Sequence, residues 1–600
     1  MSGICGIVDI KGSSVESYDI KKMIDIIRHR GSSKKIIFKD NGISVAFTKL
    51  KINDEKTTHN ENDVFVWIDG YIICEHENDV SYIIKKYRDL GNNFLGIAEG
   101  DFALVLWDSG KRKLILATDK KGTKPLYYYK NGDLLFFSSE IKSIIRVLDE
   151  KFKPDFISIN NFLTFGSTIS PRTFFHKIKK IPYSSFLNIE NGKLESRHYH
   201  IPNYIYTQDN LVKKFIEIFN NIIKDRLSIT DDVGVLLSGG IDSSAIIGIL
   251  SKYEKNISTY TVGYSYNNSI NESHFARLIA EEFNTNHKEI TINSDIIKKS
   301  PEIIWYQETP NQNPAPLIVS SLSSISKNKK ILFSGEGVES LFCAGKDYNI
   351  FNIFSKYEWL KYGLTPLALS SEKNDNSFTD KERMIGILKN LARNENVHKS
   401  FVLASCNFEN SHLFFHNKIA DSIKDSSQKL IASLIKKSDS SVLESYNKLK
   451  YRMWDLEYVF LRENLFVKDS HYLSFPFLDS KMVSFSTKIP QKWKSDLFTT
   501  KILLKKSMKN ILPGKIINRK KMMLVSPSKM WIEEQNDLIT YYINELGRRK
   551  AFNKKNIDLF MKKYRKTSKY DWKLWSLFFL EVFLNAYFDS KIKIRLPKSL

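Results

Sequence analysis

The chain has 600 residues, which is too long for one hydrophobic core and predicts two or three domains. Its 91 lysines and arginines outnumber its 67 acidic residues, for a formal net charge of +24, but they are spread along the chain without a basic, aromatic-studded arm. The positive charge therefore fits anionic partners such as nucleotides or acidic peptides. Its even spread along the chain argues against a dedicated nucleic-acid-binding protein.

Four cysteines are scattered along the chain: Cys5, Cys74, Cys343 and Cys406. No C-x-x-C pair occurs, which argues against a structural zinc site and a disulfide framework and favours a reducing compartment. The longest apolar stretch, residues 574–588, is interrupted by Glu581 and Asn585 and falls short of the ~20 residues that span a bilayer. The first residues read as a strand and not as a signal peptide. The sequence thus predicts a cytoplasmic protein with no membrane partner.

Short apolar runs separated by turns follow one another through the first ~195 residues. The predicted strands span residues 42–47, 64–68, 102–107, 113–117 and 134–138. Their spacing predicts stacked antiparallel sheets. A polar segment at 198–209 separates this part from a helical period that begins at Leu211. We therefore predict a first domain over residues 1–198 and a second over residues 209–600.

From Val233 onward, predicted strands alternate with predicted helices. The strands span residues 233–237, 258–264, 288–292 and 330–334, and one of the helices spans residues 272–283. Such alternation is typical of a parallel, doubly wound α/β sheet. The polar segment 370–380 is predicted to be a loop, and the remainder of the chain reads as mostly helical.

The segment 237–244 reads LSGGIDSS and connects the first of these strands to an apolar helix. Its glycines let the backbone approach an anion, and first-turn N–H groups and serine hydroxyls can donate to it. Asp242 is suited to a Mg²⁺ ion that bridges phosphates. A kinase-like phosphate loop would carry a lysine that is absent here, so γ-phosphoryl transfer is not expected. The predicted pyrophosphate-binding residues are Leu237, Ser238, Gly239, Gly240, Asp242, Ser243 and Ser244. An ordinary capped connection is the alternative for so short a segment.

The segment resembles the nucleotide loop of N-type ATP pyrophosphatases, enzymes that split ATP into AMP and pyrophosphate. Further motifs occur in the order found in glutamine-dependent asparagine synthetases and cover nearly the whole chain. In the first part these are RHRG at 28–31, GDFA at 100–103, Asp119 with KPLY at 124–127, and SSE at 138–140 with Lys142. In the second part they are SGEG at 334–337, FPFLD at 475–479, and Thr500-Lys501 followed by Arg519-Lys520-Lys521.

This resemblance implies an α/β protein of two domains. The first would be a glutaminase-like, class II amidotransferase domain, an αββα sandwich of antiparallel sheets. The second would be an ATP-pyrophosphatase synthetase domain with a doubly wound parallel sheet. ATP and Mg²⁺ are the implied cofactors.

The first part departs from the family pattern at the residues that hydrolyse glutamine. In the family, an N-terminal cysteine supplies the thiolate nucleophile, but position 2 is Ser2 here, and Cys5 reads as a buried strand residue. The Asn-Gly-Glu segment that holds glutamine is Asp69-Gly70-Tyr71, and an arginine is replaced by Lys49, which cannot grip a carboxylate in bidentate fashion. We predict that the first domain does not hydrolyse glutamine. A serine-based amidase is the alternative.

Without ammonia from the first domain, an amine already present in the substrate is the simplest nucleophile. The glutaminase cysteine is also missing in β-lactam synthetases, carbapenam synthetases and lasso peptide cyclases, and the MSGI start and chain length look most similar to lasso peptide cyclases. The resemblance implies that an Asp or Glu side chain of a precursor peptide is adenylated and then captured by the peptide's N-terminal amine. A macrolactam, AMP and pyrophosphate would result. A leader peptidase and a leader-recognition protein are the implied partners.

Two alternatives stay open. One is an asparagine synthetase-like amidotransferase that uses free ammonia. The other, from a different class, is a non-catalytic or nucleic-acid-binding protein. The intact loop with Asp242 argues against a silent scaffold, and the lack of an aromatic-basic stripe argues against nucleic acid.

The resemblance also implies roles within the synthetase part. Asp242 and Glu339 are the implied Mg²⁺ ligands. Lys521 is the cation expected beside the adenylate phosphate, with Lys520 as the alternative register. The residues expected against the adenosine are Leu237, Val262, Gly263, Ser334 and Gly335, for which strand packing is the alternative.

The general base is the least determined role. β-Lactam synthetase-like enzymes use a Tyr/Glu pair, whose positions fall at Glu336 and Glu463 here. Two carboxylates in a dry pocket would raise each other's pKa, the direction that a general base needs.

Overall fold

The computed structural model describes residues 2–12, 15, 17–31, 35–49, 60–61, 63–74, 78–148, 150–199, 210–266, 271–342, 408, 410–434, 451–452, 456–496, 499–519, 526–567 and 571–589. Its N-terminal part forms two six-stranded sheets. The strands are β1 (Gly3–Asp9), β2 (Ile36–Asp40), β3 (Ile43–Thr48), β4 (Asn60–Glu61), β5 (Val64–Ile72), β6 (Gly100–Asp108), β7 (Lys113–Thr118), β8 (Tyr127–Asn131), β9 (Leu134–Ser138), β10 (Lys179–Lys180), β11 (Ser185–Glu190) and β12 (Lys193–His198).

The strand orders are β10-β8-β9-β1-β3-β2 and β12-β11-β7-β6-β5-β4. Neighbouring strands pair antiparallel, as the spacing of the apolar runs predicts. The inner faces share an apolar core, to which Val45, Trp67 and Leu135 contribute. Because helices cover the outer faces as well, β1 and β3 are buried along their whole length. Their sequences are therefore apolar on both sides and show little alternation.

A five-stranded parallel sheet forms the centre of the C-terminal part. Its strands are β13 (Val233–Leu236), β14 (Ser258–Tyr264), β15 (Asn286–Ile292), β16 (Ile331–Phe333) and β17 (Tyr472–Ser474), in the order β15-β14-β13-β16-β17. The first four confirm the predicted strands to within two residues. The described residues of the remainder are mostly helical, as predicted, and β17 is a strand that the prediction did not include. Three residues are too few to show a period, and the pairing of Leu473 with Leu332 exists only in the folded sheet.

Helices cover both faces of this sheet, which makes it doubly wound. The helices of the whole described chain span Ile20–Ile26, Asp79–Leu90, Phe94–Ile97, Ile141–Leu148, Phe156–Phe165, Leu211–Leu227, Ile241–Leu250, Ser273–Glu282, Ser300–Gln307, Ala315–Ile325, Val338–Leu341, Asn417–Ile423, Ser426–Leu434, Leu456–Val467, Ser480–Lys488, Gln491–Lys494, Ile502–Met508, Gly514–Ile517, Ser528–Glu534, Asn536–Arg548, Lys554–Thr567 and Asp571–Phe588. Short 3-10 helices span Arg28–Arg30, Gly91–Asn93, Ser294–Lys299, Ser411–Phe414 and Pro476–Leu478.

The two parts share a continuous apolar core, which contains Ile24 and Ile144 from the first part and Trp305 and Phe583 from the second. The segment that joins them, 200–209, lies outside the described residues, as does the predicted loop at 370–380. The domain limits 1–198 and 209–600 therefore stay a prediction. In the part of the chain that the structure describes, no helix has the length and apolar character to cross a membrane.

Candidate active site

The Ser/Gly loop of residues 237–244 follows β13 at the carboxyl end of the parallel sheet. From β13 the chain adds β14 and β15 on one side and β16 and β17 on the other, so the loop lies at the topological switch point where such sheets bind ligands. Gly240 is the N-cap of the helix Ile241–Leu250 and has no side chain to occupy the first-turn N–H groups. These groups favour an anion at the loop.

The three serines of the loop have different surroundings. The Ser238 N–H donates to Ser243 Oγ (3.2 Å), and the Ser243 hydroxyl in turn reaches the Gly240 carbonyl oxygen (3.3 Å). Ser244 is fully buried behind the loop. Ser243 therefore shapes the loop, and Ser238 is the serine that lies exposed at the surface.

Two glycines allow neighbouring segments to approach the loop closely. Gly239 has a φ of +68°, and a Cβ there would lie 2.5 Å from the backbone carbon of Phe275. A Cβ on Gly335, in the turn after β16, would lie 2.9 Å from the backbone nitrogen of Ser243. The turn after β16 thus packs directly on the loop.

Lys501 is a site residue for which the sequence motifs predicted no role. Its Nζ lies 2.7 Å and 2.5 Å from the two carboxylate oxygens of Asp242, and the residue is 4% exposed. It sits at the start of the helix Ile502–Met508, far along the chain from the loop. A cation at this position can neutralise charge that develops on a leaving pyrophosphate. The Thr500-Lys501 motif was the signal that could have identified it.

Arg519 is a second cation at the loop that sequence reasoning left without a role. Its Nη1 donates to the Gly239 carbonyl oxygen (2.8 Å), and its guanidinium lies over the Phe275 ring, 4.0 Å from the centroid. It also forms an ion pair with Glu272. Arg519 therefore fixes the glycine turn of the loop and adds positive charge beside it.

The residues predicted to lie against the adenosine stand at the ends of the central strands. Leu237 is buried, and its N–H donates to the Tyr260 carbonyl oxygen (2.8 Å). Ser334 is 7% exposed, and its N–H donates to the Ser474 carbonyl oxygen (2.9 Å) of β17. Val262 and Gly263 lie in β14 beside the loop strand. Their contacts with a nucleotide stay a prediction.

The predicted Mg²⁺ ligands are Asp242, which is partly exposed at the start of its helix, and Glu339, in the short helix Val338–Leu341. Among the described residues, no group of three or more His, Cys, Asp or Glu side chains is placed to hold a metal ion. Mg²⁺ commonly takes one or two protein carboxylates and completes its shell with phosphate oxygens and water. Asp242, within the loop, fits this mode, and the roles of Asp242 and Glu339 stay a prediction.

The structure does not bring Glu336 and Glu463 together as a pair. Glu336 forms an ion pair with Arg462, and its side chain is 44% exposed. Glu463 is fully buried; one carboxylate oxygen contacts the Lys124 ammonium, and the other accepts from the Leu473 N–H (3.0 Å). Burial raises the pKa of Glu463 to about 7, and Lys124 opposes that shift. The expected direction of the pKa shift is therefore present, but burial is its main cause, with a smaller contribution from Asp101.

Of this pair, Glu336 is the one that stays accessible to a substrate, whereas Glu463 connects the two domains. Lys520 and Lys521, the predicted adenylate cations, lie outside the described residues.

The position of the family's glutaminase nucleophile is filled by the protein's own side chains. Ser2 is fully buried, and its backbone N–H donates to Asp69 Oδ1 (3.0 Å). Arg30 Nη2 donates to Asp69 Oδ2 and Nη1 to Glu140 Oε1, both at 2.9 Å, while Nε donates to the Ser2 carbonyl oxygen (3.1 Å). We call Ser2, Arg30, Asp69 and Glu140 the buried N-terminal cluster. A glutamine would have to displace this cluster to reach Ser2.

Cys5 is fully buried in β1, between β3 and β9, as expected of a strand residue. Burial raises the pKa of its thiol far above the usual value, so almost no thiolate forms near about pH 8. We expect iodoacetamide to leave Cys5 unmodified in the native protein and to modify it in denaturant, as measured by mass spectrometry of the N-terminal peptide. The partly exposed Cys74 is the internal control. Native labelling of Cys5 as fast as Cys74 would contradict this expectation.

An antiparallel sandwich joined to a parallel sheet with a Ser/Gly loop at its switch point is the architecture expected of a glutaminase-like domain followed by a synthetase domain. A family model described as asparagine synthase matches residues 214–587, and one described as glutamine amidotransferase domain matches residues 69–200. The first match covers more than half of the chain. The chain therefore belongs to the asparagine synthase family, whose members form amide bonds with ATP.

Individual relatives agree with this family. Asparagine synthetase (glutamine-hydrolyzing) 1 of Bacillus subtilis is 24% identical over 569 residues, covering 88% of this chain and 87% of that protein. Putative asparagine synthetase (glutamine-hydrolyzing) 2 of Methanocaldococcus jannaschii is 24% identical over 387 residues, covering 57% of this chain and 75% of that protein. A solved NH3-dependent NAD synthetase from Campylobacter jejuni covers 38% of this chain and 95% of its own, at 16% identity and a TM-score of 0.18. That score is too low to add to the description of the fold.

Proposed function

We propose that this protein is an ATP-dependent macrolactam-forming ligase, of the kind that the resemblance to lasso peptide cyclases implies. A carboxylate oxygen of an Asp or Glu side chain in a precursor peptide attacks the α-phosphorus of ATP, and pyrophosphate leaves. The peptide's N-terminal amine then attacks the acyl carbon and loses a proton to a base, and AMP leaves. The product is a peptide ring closed by an isopeptide bond.

The observation that carries this proposal is the contrast between the two centres. The Ser/Gly loop retains an exposed Ser238 and a partly exposed Asp242. Ser2, at the position of the glutaminase nucleophile, is fully buried and its backbone is held by Asp69 and Arg30. A serine hydroxyl is also a poorer nucleophile than a thiolate near neutral pH. Nitrogen that is not released in the first domain must arrive in solution or on the substrate itself.

The chain offers a group for each step of this reaction. The loop N–H groups, Lys501 and Arg519 surround the place where pyrophosphate would leave. Asp242 and Glu339 would hold Mg²⁺, which neutralises phosphate charge when bound. Lys521, or Lys520 in the alternative register, would balance the adenylate phosphate. Glu336 is the accessible carboxylate for the proton of the attacking amine.

The proposal includes partners and a location. Because the attacking group is a free N-terminal amine, a peptidase must first remove any leader from the precursor, and a leader-recognition protein would deliver it. These reactions would take place in the cytoplasm, where ATP is available.

The decisive test uses synthetic peptides with a free N-terminus and one Asp or Glu moved to successive positions. With ATP and Mg²⁺, we expect one peptide to lose the mass of one water while AMP and pyrophosphate form in equal amounts. Its N-acetylated twin should be adenylated, as measured by ATP–pyrophosphate exchange, but should not cyclise. Cyclisation that requires added glutamine, or glutamate release that matches AMP formation, would refute the proposal.

A second candidate is an asparagine synthetase-like amidotransferase that uses free ammonia. The names of the relatives support asparagine synthesis, although those relatives are named as glutamine-hydrolyzing. Incubation with ATP, aspartate and ammonium separates the two. The ligase proposed above forms no asparagine under these conditions, whereas the second candidate forms asparagine and AMP together.

A further inference from the structure

The helix Leu456–Val467 connects the two centres, and we call it the connecting helix. Three consecutive residues in its second half contact three different places. Arg462 forms an ion pair with Glu336 of the synthetase site. Glu463 contacts Lys124 of the first domain, and the Asn464 side-chain oxygen accepts from Arg30 Nη1 (3.3 Å). Successive helical residues point about 100° apart, so one turn can reach both sides.

Glu463 also contacts the edge strand of the parallel sheet. Its second oxygen accepts from the Leu473 N–H of β17, and β17 pairs with β16. The backbone of Ser334, at the end of β16, donates to Ser474 (2.9 Å). Glu336 follows two residues later. The carboxylate of Glu463 is therefore linked to Glu336 by two routes, through β17 and β16 and through the adjacent Arg462.

The first-domain side of this connection is rigidly held. Lys124 is fully buried, with its Nζ 4.5 Å from the centroid of the Tyr472 ring. Arg30, which holds Asn464, is fixed by Asp69 and Glu140 within the buried N-terminal cluster. Charges this deeply buried must keep their partners, so the cluster has few alternative arrangements.

We propose that Lys124 of the first domain serves as an anchor, which positions Glu336 in the synthetase site through Glu463 and the connecting helix, while Arg30 holds the same turn of that helix through Asn464. Lys124 and Glu463 are then positioning residues that act at a distance from the substrate. This inference rests on the proposed function for its kinetic consequence but not for its structural one.

The test compares Lys124→Met with Lys180→Met. Lys180 is a matched control because it also comes from the first domain and pairs, in a buried contact, with the connecting helix, through Glu457 (3.0 Å). Glu457 lies six residues before Glu463, about 9 Å along the axis and away from Arg462. Both variants remove one interdomain charge. Of the two lysines, only Lys124 pairs with the neighbour of Arg462, the residue that contacts Glu336.

The structural readout is hydrogen–deuterium exchange of the backbone amides of residues 334–342 in the free protein. We expect Lys124→Met to speed this exchange at least about tenfold and Lys180→Met to leave it within about twofold of wild type. Lys124→Arg should restore it. Glu463→Gln, which keeps the shape of the side chain, serves as a second variant in case Lys124→Met fails to fold, and should also speed the exchange.

The kinetic readout is ATP–pyrophosphate exchange and ring closure with the best member of the peptide series. We expect Lys124→Met to lower kcat for ring closure about 10- to 100-fold and to raise the KM for ATP by a smaller factor, because Ser334 and Gly335, which are predicted to lie against the adenosine, belong to the loosened segment. Equal losses in Lys124→Met and Lys180→Met, or no change at residues 334–342 in Lys124→Met and Glu463→Gln, would overturn the inference. If wild type shows no ATP–pyrophosphate exchange, the proposed function fails, and hydrogen exchange still decides whether the anchor exists.

Discussion

Asp242→Asn is expected to lower AMP formation by a factor on the order of 100 or more. The substitution keeps the size of the side chain and removes the charge that would hold Mg²⁺ at the loop. It also leaves the Lys501 ammonium without its carboxylate partner. We expect ATP–pyrophosphate exchange, measured with the cyclising peptide at saturating ATP, to fall in the same proportion as ring closure, because the defect lies in the first step.

Asp232→Asn is the matched control for this variant. Asp232 precedes β13 at the opposite end of the same strand and pairs with Lys329 (3.2 Å), away from the loop. The activity of Asp232→Asn should remain within about twofold of wild type, because loss of a partly exposed ion pair has a small effect on stability. Chelation of Mg²⁺ should reduce wild type to the level of Asp242→Asn. An Asp242→Asn protein that kept more than half of the wild-type rate would show that this carboxylate holds no metal.

Arg30→Met is expected to lower the free energy of unfolding by about 3–5 kcal/mol, because it removes the cation that pairs with the buried Asp69 carboxylate and leaves Glu140 with Lys142 as its remaining buried cation. The Arg30 side chain is fully buried, and it pairs with Asp69 and Glu140 at 2.9 Å each. Burial opposes its charge, but these two carboxylates outweigh burial and raise the pKa of Arg30 above its ordinary value. The guanidinium is therefore charged at every pH at which the protein is folded.

Chemical denaturation followed by circular dichroism measures this effect. Arg172→Met is the control: Arg172 pairs with Asp155 at 2.7 Å, but its side chain is 48% exposed, so the loss should stay below about 1 kcal/mol. A loss from Arg30→Met no larger than that from Arg172→Met would mean that the buried N-terminal cluster does not stabilise the fold.

The secondary structure around the nucleotide loop was predictable because its determinants are local. The apolar run at 233–237 and the helical period that follows need only neighbouring residues to specify them, and the structure places β13 and the helix Ile241–Leu250 there. The turn between them was predictable as well, because its two glycines, Gly239 and Gly240, are neighbours in the sequence. The sandwich strands were also predictable, since each apolar run is bounded by turn residues.

Residues that act across long sequence distances were not predictable from local patterns. Lys501 reaches Asp242 across 259 positions, and Lys124 reaches Glu463 across 339. Both lysines stand in motifs, Thr500-Lys501 and KPLY at 124–127, but no local pattern specifies which distant carboxylate each of them contacts. β17 was missed for a related reason, because three residues become a strand only by pairing with β16.

By itself, the sequence determined the two-domain α/β fold, the Ser/Gly loop with Asp242, and the loss of the cysteine at position 2, because each depends on residue identity or on neighbours along the chain. The tertiary structure alone decided that Ser2 is enclosed by Arg30 and Asp69, and that Glu463 connects domains instead of joining Glu336. Those outcomes depend on which charges are buried together, and a buried charge takes its partner from whatever segment the fold brings within reach.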